Sequence, residues 1–121
     1  MINAREQIKD ALKTVCTNVK MSRPVGNPNP PLIVYAEMSN LPVNKAYVRL
    51  RWQVTVYCET FKDLTELTDE VDRVMSETLG YTRSNKSSDD EARIDTDMYM
   101  CKLTYVGLVD TKLNGVIKYS T

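Results

Sequence analysis

Hydrophobic and polar positions alternate most regularly over residues 47–59, YVRLRWQVTVYCE. Val48, Leu50, Trp52, Val54, Val56 and Cys58 fall on one side, and Tyr47, Arg49, Arg51, Gln53, Thr55 and Tyr57 on the other. A period of two, carried by β-branched and aromatic types without glycine or proline, marks a strand with one dry face. The pattern predicts a long central strand with Trp52 as its core anchor. Its second face is polar enough to meet water or a partner.

Two stretches switch to helical spacing. Over residues 2–19, Ile2, Ile8, Leu12, Val15, Cys16 and Val19 recur on one stripe, with Arg5, Glu6, Lys9, Asp10 and Lys13 elsewhere. This predicts an amphipathic helix, capped by Asn3 with Glu6 in capping-box position and ending before Arg23-Pro24. Over residues 61–79, Leu64, Leu67, Val71, Val74, Met75 and Leu79 recur at three- and four-residue intervals. Asp63, Glu66, Asp69, Glu70, Asp72 and Glu77 face out from this second helix, Thr60 is its expected N-cap, and Gly80 sits where a left-handed cap belongs.

Between these elements, residues 22–31 hold four of the five prolines and form a connection into a β-rich run at 32–38, LIVYAEM. A turn around Pro42, residues 39–45, leads from that run to the central strand, so the two read as a hairpin with an irregular loop. Residues 84–93, SNKSSDDEAR, carry no apolar side chain larger than Ala92, which predicts a long mobile polar loop. Residues 98–106 alternate again, with Tyr99, Cys101, Leu103 and Tyr105 on one side, and Gly107 and Asp110 are expected to break the chain. Asn114-Gly115 is a hairpin-turn signal before a last short strand at 116–119. With no alternating strand–helix–strand order, the expected fold is α+β, a single mixed, mostly antiparallel β-sheet with two α-helices packed on one face. A length of 121 residues gives a single domain spanning 1–121.

Composition narrows the function classes. Lys plus Arg and Asp plus Glu are equal at 16 each, so no long-range field draws in nucleic acid or an anionic membrane. No signal peptide is recognised near Met1 and no apolar run is long enough for a bilayer, so a soluble intracellular product is expected. Cys16, Cys58 and Cys101 are odd in number and isolated, which favours buried thiols in a reducing compartment over a disulfide framework.

Candidate chemistry is sparse. The absence of histidine removes the commonest general base and metal ligand. The separated cysteines support neither a zinc site nor a nucleophile, and the four glycines do not cluster as a phosphate loop requires. Asp89, Asp90, Glu91, Asp95 and Asp97 could supply oxygens to a divalent cation, but they lack the spacing of a calcium loop, and a solvated loop is the plainer reading. Arg49 and Arg51 with Tyr47 and Tyr57 would make a face that stacks on bases. The alternative is that these long side chains cover the second sheet face and mate with a neighbouring subunit. No enzyme, cofactor or metal is expected.

The order of parts carries a resemblance. An amphipathic helix and a proline-rich connection lead into PPLIVYAEMSN, then a strand ending VTVYCET runs directly into an acidic helix, FKDLTELTDEVDRVMSETLGY, and a charged loop precedes MYMCKLTYVGLVD. Over residues 30–110, about two-thirds of the chain, this resembles the tail terminator (tail completion) proteins of long-tailed bacteriophages, related in fold to the lambda tail terminator. The resemblance implies a non-enzymatic structural protein of the virion that forms a homo-hexameric ring on the tail tube. There it stops tube polymerisation and presents the interface for head–tail joining. The implied partners are the tail tube protein and a head-completion or connector protein, with DNA only passing through the channel, no membrane contact, and the host cytoplasm as the place of assembly.

A ring needs two unlike faces on each subunit. Arg49, Arg51, Gln53 and Tyr57 of the central strand and Glu66, Asp69, Glu70 and Asp72 of the acidic helix are oppositely charged and are expected to meet between neighbours. The 84–93 segment, with Lys86, Asp89, Asp90, Glu91 and Arg93, is expected to order on the tube or head protein. Two other readings stay open: a different head–tail connector or neck component, and a small nucleic-acid-binding module using the Arg49/Arg51 face.

Overall fold

The computed structural model describes residues 4–21, 31–44, 46–89, 99–110 and 115–116. In chain order these form α1 (Ala4–Leu12), β1 (Val19–Met21), β2 (Leu32–Pro42), β3 (Tyr47–Cys58), α2 (Phe61–Arg73), β4 (Thr82–Asp89), β5 (Tyr99–Asp110) and β6 (Gly115–Val116). A π-helical turn, Val74–Thr78, continues α2.

The alternating strand is the middle of the sheet. The order is β1-β2-β3-β5-β4, with β6 paired to β5. Both neighbours of β3 run antiparallel to it, while β1 joins β2 in parallel, which makes the sheet mixed. Opposed residues share a face, and the register therefore sorts the sheet into two sides. On one lie Ile33, Tyr35, Leu50, Trp52, Val54, Val56, Cys58, Cys101, Leu103 and Tyr105, all buried. Ala4, Ile8 and Leu12 of α1 and Leu64, Val71 and Met75 from α2 and its π-helical continuation join the same core. Both helices thus cover one face of an α+β sheet, as the sequence pattern predicts. Trp52 is 1 % exposed and packs at a tilt against Tyr35, with ring centroids 6.3 Å apart.

The second helix begins and ends as its sequence predicts. The Thr60 hydroxyl oxygen accepts from the Asp63 N–H at 3.1 Å, satisfying one of the free donors of the first turn. At the far end Gly80 takes φ 86°, and the Tyr81 N–H returns to the Met75 carbonyl at 2.9 Å. Only a residue without a Cβ adopts that φ at no steric cost.

Four boundaries differ from the expectation. The first helix stops at Leu12, where Thr14, Val15 and Cys16 close the last turn through bonds to the Ala11 and Leu12 carbonyls. Val19 belongs instead to β1, and the Asn18 carbonyl accepts from Ile33 N–H. β-Branched Thr14, Val15, Thr17 and Val19 favour this, because such side chains lose rotamer freedom in a helix. β2 runs on to Pro42 through an irregularity between Glu37 and Ser39, so the turn is shorter than expected. There the Asn44 side-chain oxygen accepts from the Ala46 and Tyr47 N–H groups. Gly107 does not break β5; it is paired opposite Leu50 and buried, held in the ladder by β3.

The fourth difference bears on function. Residues 82–89 are not a loop but an edge strand, antiparallel to β5 from Thr82↔Val106 to Asp89↔Met100. Backbone pairing holds this polar segment in place without an apolar face of its own. The Asn3 cap, the proline-rich connection before Pro31, the Asn114 turn position, residues 117–119 and the Asp95 and Asp97 carboxylates lie outside the described residues.

Candidate functional site

The outer face of the sheet, turned away from both helices, is built in cross-strand rows. From one end these are Leu32–Tyr57–Met100, Val34–Thr55–Lys102, Ala36–Gln53–Thr104, Ser39–Arg51–Val106 and Leu41–Arg49–Leu108. Arg49, Arg51 and Lys102 are exposed, Gln53 and Tyr57 are half-buried, and Leu41 stands out at 58 % exposure. Among the described residues none of these three cations has a carboxylate within ion-pair distance. Leu32, Val34 and Thr55 at one end of the face are buried; its exposed part is basic with aliphatic flanks, and all four strand residues expected to form a contact surface lie on this face.

The expected acidic patch on α2 is divided. A helix advances 100° per residue, and this separates the five carboxylates of α2 by direction. Asp72 turns toward the sheet, where it accepts the Tyr105 hydroxyl at 2.9 Å and pairs with Arg83 at 3.3 Å. It is a structural tie, already occupied. Burial first, then the hydrogen bond to Asp72 and its charge, push the Tyr105 phenol far above its ordinary range. Asp69 points outward and is exposed. Glu66 and Glu70 lie on the opposite flank from Asp72, with Asp63, and Glu70 pairs with Arg73 at 2.8 Å across one turn.

That flank opens into a cleft of about 530 Å³ between the end of α1, the end of β3 and α2. Val15, Cys16, Pro31, Cys58 and Leu67 give it an apolar lining, and Glu59, Asp63, Glu66 and Glu70 supply carboxylates. Burial, with the Asp63 charge adding to it, pushes the Cys58 thiol up to about 11, so it stays a neutral wall of the cleft. Among the described residues no group of three or more carboxylates and thiols is placed to hold a metal ion. The lining suits a guest with an aliphatic stem and a cationic head. Glu59, Asp63 and the two cysteines were not candidates in the sequence, because Cys16 and Cys58 are brought together only by tertiary packing.

The expected docking segment is placed in part. Lys86 is exposed on β4, at the register position of Leu103 and so on the helix side of the sheet; Asp89 pairs with Met100. Both sit in a paired strand rather than a loop. Asp90, Glu91 and Arg93 lie outside the described residues.

No helix among the described residues is long and apolar enough to cross a membrane. No known family model and no curated protein matches the chain.

Proposed function

We propose that this chain is a structural assembly protein of a phage tail, a tail terminator. In this reading six copies close head to tail into a ring on the end of the tail tube, halt its growth and offer the joining surface for the head. The observation that carries it is the placement of charge. One side of the sheet presents Arg49, Arg51 and Lys102, and the helix-covered side presents Glu59, Asp63 and Glu66, none of them ion-paired among the described residues. A subunit with complementary surfaces on opposite sides cannot satisfy them within itself, but can pass the contact to a neighbour, as closed heterologous rings require. Of the element order on which the resemblance to tail terminators rests, the chain has the helix, the hairpin, the acidic helix and the long strand, while the expected charged loop before that strand is instead the edge strand β4.

The test is a polymerisation assay with purified tail tube protein. Added at one hexamer per tube end, the chain is expected to arrest elongation and to appear as a cap in negative-stain images. Tubes of unchanged length with no bound chain would refute the capping role. A neck component would instead bind the connector and leave tube growth untouched.

A further inference from the structure

We infer that the cleft formed by α1, β3 and α2 is the seat for the Arg49–Arg51 strand face of a second copy of this chain. This rests on the ring reading and names the site through which one subunit grips the next.

The cleft and the strand face complement each other in three respects. The first is charge. Of the α2 carboxylates, Asp72 and Glu70 already have cations, Arg83 and Arg73, whereas Asp63 and Glu66 have none among the described residues, nor has neighbouring Glu59. On the other side of the sheet Arg49 and Arg51 likewise have no ion-pair partner among the described residues. Burying either set alone would cost free energy; burying them against each other offsets it.

The second is spacing. Arg49 and Arg51 project from one strand face about 7 Å apart. Glu66 and Glu70 are separated along the helix axis by about 6 Å, and Asp63 lies about 4.5 Å before Glu66. Glu70 is held by Arg73, so the carboxylates open to the two guanidinium groups are Asp63 and Glu66, close enough along the helix for two neighbouring long side chains to reach both.

The third is the apolar remainder. Arg49 is flanked in register by Leu41 and Leu108, and Arg51 by Val106. These can cover Val15, Leu67 and the cysteine walls as the arginine stems enter. A metal ion or small anion would leave that lining uncovered. The opposed positions of cleft and strand face make the contact heterologous, so each bound neighbour still offers a free copy of both.

The experiment is a charge exchange in the full chain, read by native mass spectrometry and sedimentation, with Trp52 fluorescence confirming folding. Arg51 and Glu66 are both exposed, so neither Arg51→Glu nor Glu66→Arg removes a core contact. Each single variant is expected to raise the concentration for half-assembly by about tenfold or more, since a like-charge contact replaces an opposite one. An equimolar mixture of the two single variants should assemble again, because in an alternating ring every strand face meets a cleft of opposite charge. Wild-type assembly that Glu66→Arg leaves unchanged, or a mixture no better than its components, would overturn the cleft as the seat while leaving the ring in place. A wild type with no self-association, alone or on tubes, would overturn both.

Discussion

The hydroxyl of Tyr105 donates to an Asp72 carboxylate oxygen at 2.9 Å, tying the middle of β5 to α2 beneath the Arg83 guanidinium. Tyr105 is fully buried and Asp72 is only partly so, so this polar link between sheet and helix is shielded from water on its tyrosine side. Tyr105→Phe keeps the ring and removes the bond. A hydrogen bond to a charged group contributes about 1.5 kcal/mol or somewhat more. Urea unfolding should show a midpoint lowered by that free energy divided by an unchanged slope; an unchanged midpoint would mean that water serves Asp72 equally well.

Alkaline pH should destabilise the fold through three groups held protonated. Burial raises Cys58 from 9.0 to about 11 and, as the leading cause, Tyr81 from 10.0 to about 12; Tyr105 is raised further still. The unfolded chain gives up these protons at about pH 9 to 10 while the folded chain keeps them. Stability from this source is therefore complete below about pH 9 and is lost as pH climbs toward the folded values. Melting temperature followed from pH 7 to 11.5 should be level and then fall, less steeply in Tyr81→Phe. A level profile through pH 11 would contradict the assignment.

Gly80 closes the second helix at φ 86°. Gly80→Ala introduces a Cβ where it meets the backbone and should cost about 1–2 kcal/mol, while Gly80→Asn should cost less, since its short polar side chain tolerates this region. Chemical denaturation of both variants checks the order; equal stability of Ala and Gly would show that the turn relaxes.

Legibility followed burial. β3 was readable because one of its faces is dry along its length, and α2 because Leu64, Val71, Val74 and Met75 recur on one stripe between a threonine cap and a glycine. β4 was not, since TRSNKSSD is polar throughout and its strand state comes from pairing with β5, which leaves no periodicity in its own residues. Val19 was misread because its distance from Val15 and Cys16 satisfies helical spacing by coincidence. The acidic patch failed in a more instructive way. Glu66, Asp69, Glu70 and Asp72 are close in sequence, yet the helical turn sends Asp72 inward to Tyr105 and Glu66 into the cleft. The cleft itself needed Cys16 and Cys58, 42 positions apart, in one lining.

The central claim is that opposed charged surfaces close this chain into a six-membered ring. Native mass spectrometry of the purified chain, over a range of concentration and with tail tube protein present, tests it most directly. The expected result is a discrete hexamer, in solution or only on the tube, that dissociates as salt rises and is lost in an Arg49→Glu/Arg51→Glu variant. A chain that stays monomeric on the tube, or a hexamer indifferent to those two charge reversals, would contradict it.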